Sequence, residues 1–295
     1  MIPYLLVVLA IFVLGVLTGG LSNVTSGGAG VLTIYFLVNF AGIEYQDATG
    51  TVLAASAVFV LVGVFTFFRR GQVDLKLGLT VGLSGVAGSF LAARWAATVQ
   101  SSSLEHVFGA FTLALAFFTS YLFISDWQKK KKLGNGTTAS GSKVTPVTNV
   151  QMPVNQMQMQ PQISRFYGTS PLALGVQIAK GVLIGIATGL FGVGLASLSV
   201  VLFLLLFKLD TKMVLGTSLF ASFFRYLGGS LGYLSDKQIN GFWFLILMVG
   251  GAIGSVIGAR MVLGTGLASK DILIKMAQVV ILLFISYEFL LKFLI

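Results

Sequence analysis

The 295-residue sequence contains no cysteine, a single histidine and only nine acidic side chains. Without cysteine there is no disulfide, no thiolate nucleophile and no thiolate-held metal. His106 follows the polar run 100–105 and reads as a solvated loop side chain, so neither a metal nor a cofactor is expected. With no histidine, cysteine or paired carboxylates inside apolar segments, no acid–base or nucleophilic set is available, and an enzyme is not expected. Charge is scarce overall: 9% of residues, against roughly a quarter in soluble domains.

Apolar side chains fill the space instead. They make up 56% of the chain, and the mean hydropathy is +0.94. Long runs rich in Leu, Phe, Ala and Gly show no period-2 alternation. Lipid offers backbone polar groups no partner, so such runs predict spanning helices and an all-α integral membrane protein. The first run, 1–22, lacks a basic start and reads as a retained membrane segment. A formal charge of +10 raises the question of nucleic acid. Membrane proteins gather Lys and Arg in cytoplasmic loops, which accounts for the excess without a nucleic-acid partner.

Five apolar segments (2–22, 29–43, 49–68, 76–97 and 107–126) precede the one extended polar stretch. That stretch, 127–170, carries four lysines at 129–132 and then Gly, Ser, Thr, Gln and Met. It cannot bury enough apolar surface to fold, and is expected to be a disordered linker on the cytoplasmic side. Five more segments follow: 171–190, 195–208, 214–235, 241–263 and 272–294. Residues 1–126 and 171–295 thus form two membrane units.

The units align without gaps when position n is set against n plus 166. Gly50-Thr51 meets Gly216-Thr217, and Ser56 meets Ser222. Gln72 meets Gln238, Gly85 meets Gly251, and Ala93-Arg94 meets Ala259-Arg260. Coincidence in leucine or glycine would mean little; coincidence at Thr, Ser, Gln and Arg in one register marks an internal repeat. An odd number of crossings per repeat inverts the second against the first. Charge agrees: Arg69, Arg70, Lys76, the 129–132 lysines, Lys208, Lys212 and Arg260 fall on one side, while Glu44, Asp47, Glu105 and Asp236 fall on the other. The basic side is read as cytoplasmic, with both termini outside. Inverted repeats are a common plan of secondary transporters, whose site lies between them near the midplane.

The short second segment of each repeat follows a glycine break: Thr25, Ser26, Gly27 and Gly28 in the first, Gly192 and Gly194 in the second. Each pair of segments therefore predicts a kinked or re-entrant hairpin whose second helix starts deep in the membrane. Its free N–H groups favour an anion; close helix packing is the ordinary alternative. Thr51, Ser56, Thr217, Ser218 and Ser222 line up as hydroxyls beside the hairpins, where they bind substrate or simply bond a preceding carbonyl. Arg225 breaks the symmetry, standing mid-segment where the first repeat has Phe59. A charge at that depth needs a counter-ion, and a guanidinium presents a planar fork to an oxyanion. Arg94 and Arg260 read as interface anchors, and Gly250, Gly254 and Gly258 as a helix-packing face.

The doubled unit, the glycine break, Gly-Thr-Ser-Leu at 216–219 with Ser222, and the later run from Gly251 to Arg260 together resemble the TauE/SafE family of membrane transporters. The resemblance covers both repeats and leaves out the linker. It implies movement of sulfur-containing anions such as sulfite, sulfoacetate or other organosulfonates, often outward. The expectation is a secondary transporter in the cytoplasmic membrane, with a small anion and the lipid bilayer as its partners. The alternative is an anion channel, or a facilitator for another small oxyanion or carboxylate.

Overall fold

A computed structural model describes residues 2–25, 30–136, 171–192, 211–264, 283–284 and 286–287. These residues are all helical or in short turns. The helices are α1 (Ile2–Thr25), α2 (Gly30–Phe40), α3 (Tyr45–Phe68), α4 (Leu75–Thr98), α5 (Ser101–Gly136), α6 (Pro171–Phe191), α7 (Thr211–Ser235) and α8 (Gly241–Gly264). Five of them, α1, α3, α4, α6 and α8, contain stretches long and apolar enough to cross a membrane. The segments expected at 195–208 and 272–294 lie outside the described residues, apart from four positions of the latter.

Burial runs opposite to that of a water-soluble protein. Leu5, Leu9, Leu91, Trp95, Leu183, Leu245 and Met261 are exposed, while Asn23, Thr49, Thr217, Ser218, Ser222 and Arg225 are wholly buried. Apolar side chains face the lipid, and polar ones are enclosed between helices.

The largest contacts are not between helices adjacent in sequence. The main contacts form a row, α6–α4–α7–α3–α8–α1, with α2 against α1 and α3. Each large contact in that row joins one repeat to the other. Small residues make the contacts close: a Cβ on Gly254 or Gly258 of α8 would strike the α1 backbone at Val16 or Gly20, and one on Gly88 of α4 would strike the α6 backbone at Val182. Gly250, Gly254 and Gly258 are thus the packing face of α8, as their spacing predicts.

The repeat is visible in the coordinates. α1, α3 and α4 are matched at the 166-residue offset by α6, α7 and α8, and both interhelical turns share one geometry. The amide of Gln72 bonds the Phe67 carbonyl at 3.0 Å, and that of Gln238 bonds Tyr233 at 3.1 Å. The turn residue before each has a positive φ: 66° at Gly71 and 60° at Lys237. Two local expectations change. His106 lies on α5 and not in a loop, because helix already begins at Ser101. α5 also continues to Gly136, ten residues beyond the boundary drawn at 126, since no helix breaker interrupts Trp127, Gln128 and the lysines before Gly134.

Candidate functional site

α3 and α7 form the centre of the row and run antiparallel. A Cβ on Gly50 would lie 2.8 Å from the Cβ of Tyr233, and one on Gly216 would lie 3.1 Å from that of Phe67. Arg225 falls midway between those two contacts, at the level of residues 58 and 59 on α3. It is 0% exposed and is among the largest fully buried side chains. Its stem lies on α4: a Cβ added to Gly85 would sit 2.6 Å from Arg225 Cγ and 2.9 Å from Cδ. Nη2 donates to Ser222 Oγ at 2.6 Å, and Ser222 Oγ in turn donates to the Ser218 carbonyl at 2.8 Å. Nε and Nη1 have no partner among the described residues.

A guanidinium has five N–H donors. Ser222 takes one of them, so one two-pronged edge of the fork keeps both its donors whichever Nη2 hydrogen is used. In an enclosed site that edge suits a pair of oxygens on one planar or tetrahedral acid group. At the equivalent place in the first repeat, Phe59 packs on Gly251; the charge is therefore one-sided.

The hydroxyls expected around a single centre are divided. Thr51 Oγ1 accepts the Asn240 amide at 2.9 Å, and Thr217 Oγ1 accepts the Asp74 amide, also at 2.9 Å. Each threonine thereby holds the turn of the opposite repeat. With ~1.5 Å rise per residue, Thr217 lies about 12 Å from the Arg225 level towards one face, and Thr51 about 10 Å towards the other. Ser218 Oγ bonds the Leu215 carbonyl at 3.0 Å. Ser56 is buried on α3. Of the five hydroxyls, only that of Ser222 bonds the guanidinium.

The glycine breaks do approach one another. A Cβ on Gly30, the first residue of α2, would lie 2.8 Å from the Gly192 carbonyl oxygen, and one on Gly192 would lie 2.8 Å from Thr49 Cγ2. Gly192 has φ 61°, the left-handed conformation that ends a helix and that glycine adopts without strain. Its amide bonds the Thr188 carbonyl at 2.9 Å. This meeting point lies level with Thr49 and Tyr233, not with Arg225. Thr25 closes α1, while Ser26, Gly27, Gly28 and Gly194 lie outside the described residues.

Three buried side chains escape sequence inspection. Tyr233 donates its hydroxyl to the Gly189 carbonyl at 3.1 Å, and Tyr45 donates to Leu190 at 3.4 Å. Asn23 Nδ2 donates to the carbonyls of Gly19 at 2.9 Å and Ser255 at 3.1 Å. All three serve the C-terminal ends of α1 and α6. The only signal for them is a polar atom close to a glycine break.

An inside-out helical row with reciprocal repeats, enclosing one incompletely partnered arginine, defines a polytopic α-helical membrane protein. The model of the family described as Sulfite exporter TauE/SafE matches residues 11–289, and the chain belongs to that family. Two curated relatives in Bacillus subtilis (strain 168) agree. The "Probable membrane transporter protein YdhB" is 26% identical over 257 residues, covering 87% of this chain and 89% of the relative. The "Probable membrane transporter protein YunE" is 22% identical over 278 residues, covering 92% and 93%. No solved structure gives a significant match. The chain is a membrane transporter of the TauE/SafE family.

Proposed function

We propose that the cargo is a small sulfur-containing anion, such as sulfite, sulfoacetate or another organosulfonate, carried across the cytoplasmic membrane by alternating access. The repeats are inverted about an axis in the membrane plane, the linker is cytoplasmic and both termini lie outside. The observation that carries the reading is Arg225: 0% exposed, with Nε and Nη1 unpartnered among the described residues. An uncompensated charge at mid-membrane costs several kcal/mol, and a bound oxyanion offsets that cost. The name of the matching family points to the same chemistry.

Proteoliposomes test it. Arg225→Ala is expected to abolish anion-dependent flux while the protein stays monodisperse, and Arg225→Lys to keep binding but lose at least tenfold in affinity, since an ammonium lacks the fork. Counter-substrate acceleration in the native protein marks a carrier; its absence together with channel-scale turnover marks a pore. Unchanged flux and affinity in Arg225→Ala removes the arginine from the site and the anion from the proposal.

A further inference from the structure

A helix leaves its last carbonyls without intrahelical partners, and where that end is buried they need others. α6 ends at Phe191, which is buried, and its final carbonyls are filled one after another. Thr188 accepts from the Gly192 amide, Gly189 from the Tyr233 hydroxyl and Leu190 from the Tyr45 hydroxyl. The two tyrosines belong to α7 and α3, the central pair of the row. Both are 0% exposed, as is Thr49 beside them. Gly192 also touches the start of α2 through Gly30 and Ile34, so the α6 end, the α2 start and the central pair close together over one face. That face is the one carrying Glu44 and Asp236.

The opposite face is built differently. Phe67, equivalent to Tyr233, has no hydroxyl to offer the end of α1, and Tyr45 is matched by the much shorter Thr211. That end is fastened instead to α8, through Asn23 Nδ2 and the Ser255 carbonyl. One helix end is thus hydrogen-bonded to the central pair and the other to its flanking helix.

We infer that Tyr45 and Tyr233 form a latch that closes the Glu44–Asp236 face, and that the asymmetry biases the transporter towards the state shut on that face. Withdrawing the α6 end exposes two hydroxyls and two carbonyls at once. They are satisfied again only by water, so the latch is either closed and dry or open and wet. The latch needs transport but no particular cargo, and its failure would leave the Arg225 site untouched.

The absence of native cysteine makes the test direct, because one introduced thiol reports alone. Thr49→Cys reports the latched face and Leu215→Cys, its repeat equivalent, the other. Each is labelled with a membrane-impermeant maleimide from its own side, in right-side-out and inside-out vesicles. Removing the hydroxyls by Tyr45→Phe and Tyr233→Phe keeps both rings in place. Labelling at Thr49→Cys is expected to rise by about fivefold per hydroxyl, in line with the net worth of a hydrogen bond, while labelling at Leu215→Cys falls. Unchanged labelling at Thr49→Cys overturns the latch. A rise at both sites also overturns it, since that reports general loosening and not a shift between two states.

Discussion

Arg225 is held in place by what its neighbours lack. Gly85 gives its stem room on α4, with a Cβ position only 2.6 Å from Arg225 Cγ, and Ser222 fixes one corner of the guanidinium at 2.6 Å. A methyl at 85 must push the stem aside, and overpacking of this kind costs about 1–3 kcal/mol. The repeat supplies a control, because Gly251 stands in the same relation to Phe59. Gly85→Ala and Gly251→Ala are therefore expected to lower the thermal midpoint in detergent by similar amounts, while only Gly85→Ala weakens anion affinity, by roughly tenfold. Equal affinities in the two variants would mean that the arginine's position does not matter to binding.

At the scale of helices and turns, the residue that starts α4 does two things. Asp74 accepts the Leu77 amide on its side chain at 3.0 Å, capping the helix, and gives its own amide to Thr217. Asn240 repeats this before α8: its Oδ1 accepts the Phe242 and Trp243 amides at 3.2 and 3.3 Å, and its amide goes to Thr51. Thr51→Val or Thr217→Val keeps the shape but strands an amide. Each is expected to cost about 1 kcal/mol, and the two effects to add because the sites lie far apart; thermal unfolding of the single and double variants measures both. The helices themselves were legible in the sequence. Gly-rich breaks and apolar length place α3 and α8 within a few residues, and the register of Gly50-Thr51 on Gly216-Thr217 exposes the repeat. The work of those threonines was not legible. A hydroxyl near a glycine break reads equally well as a ligand or as a clasp, and the choice depends on which turn folds over it from another part of the chain. Tyr45 and Tyr233 were hidden for the same reason: the carbonyls they serve are 145 and 44 residues away. Arg225 was readable because a lone charge in an apolar run is costly wherever its partners lie.

For the whole molecule, the order of the row matters more than any single contact. Small residues announce that another backbone comes close, but they do not say whose. The structure answers that α1 lies on α8 and α6 on α4, with α3 and α7 crossing between, so each repeat's packing surface is supplied by the other. Neither unit alone can bury its glycine faces or satisfy the turns at Asp74 and Asn240. A chain covering 1–136 and another covering 171–295, expressed separately, are expected to be degraded or aggregated. Expressed together, they are expected to co-purify one to one and regain the thermal transition of the intact protein to within a few degrees, because every large contact in the row is still available to the pair. Either fragment giving a monodisperse folded species alone would contradict the interlocked row, since a self-sufficient repeat needs helix partners from within its own sequence.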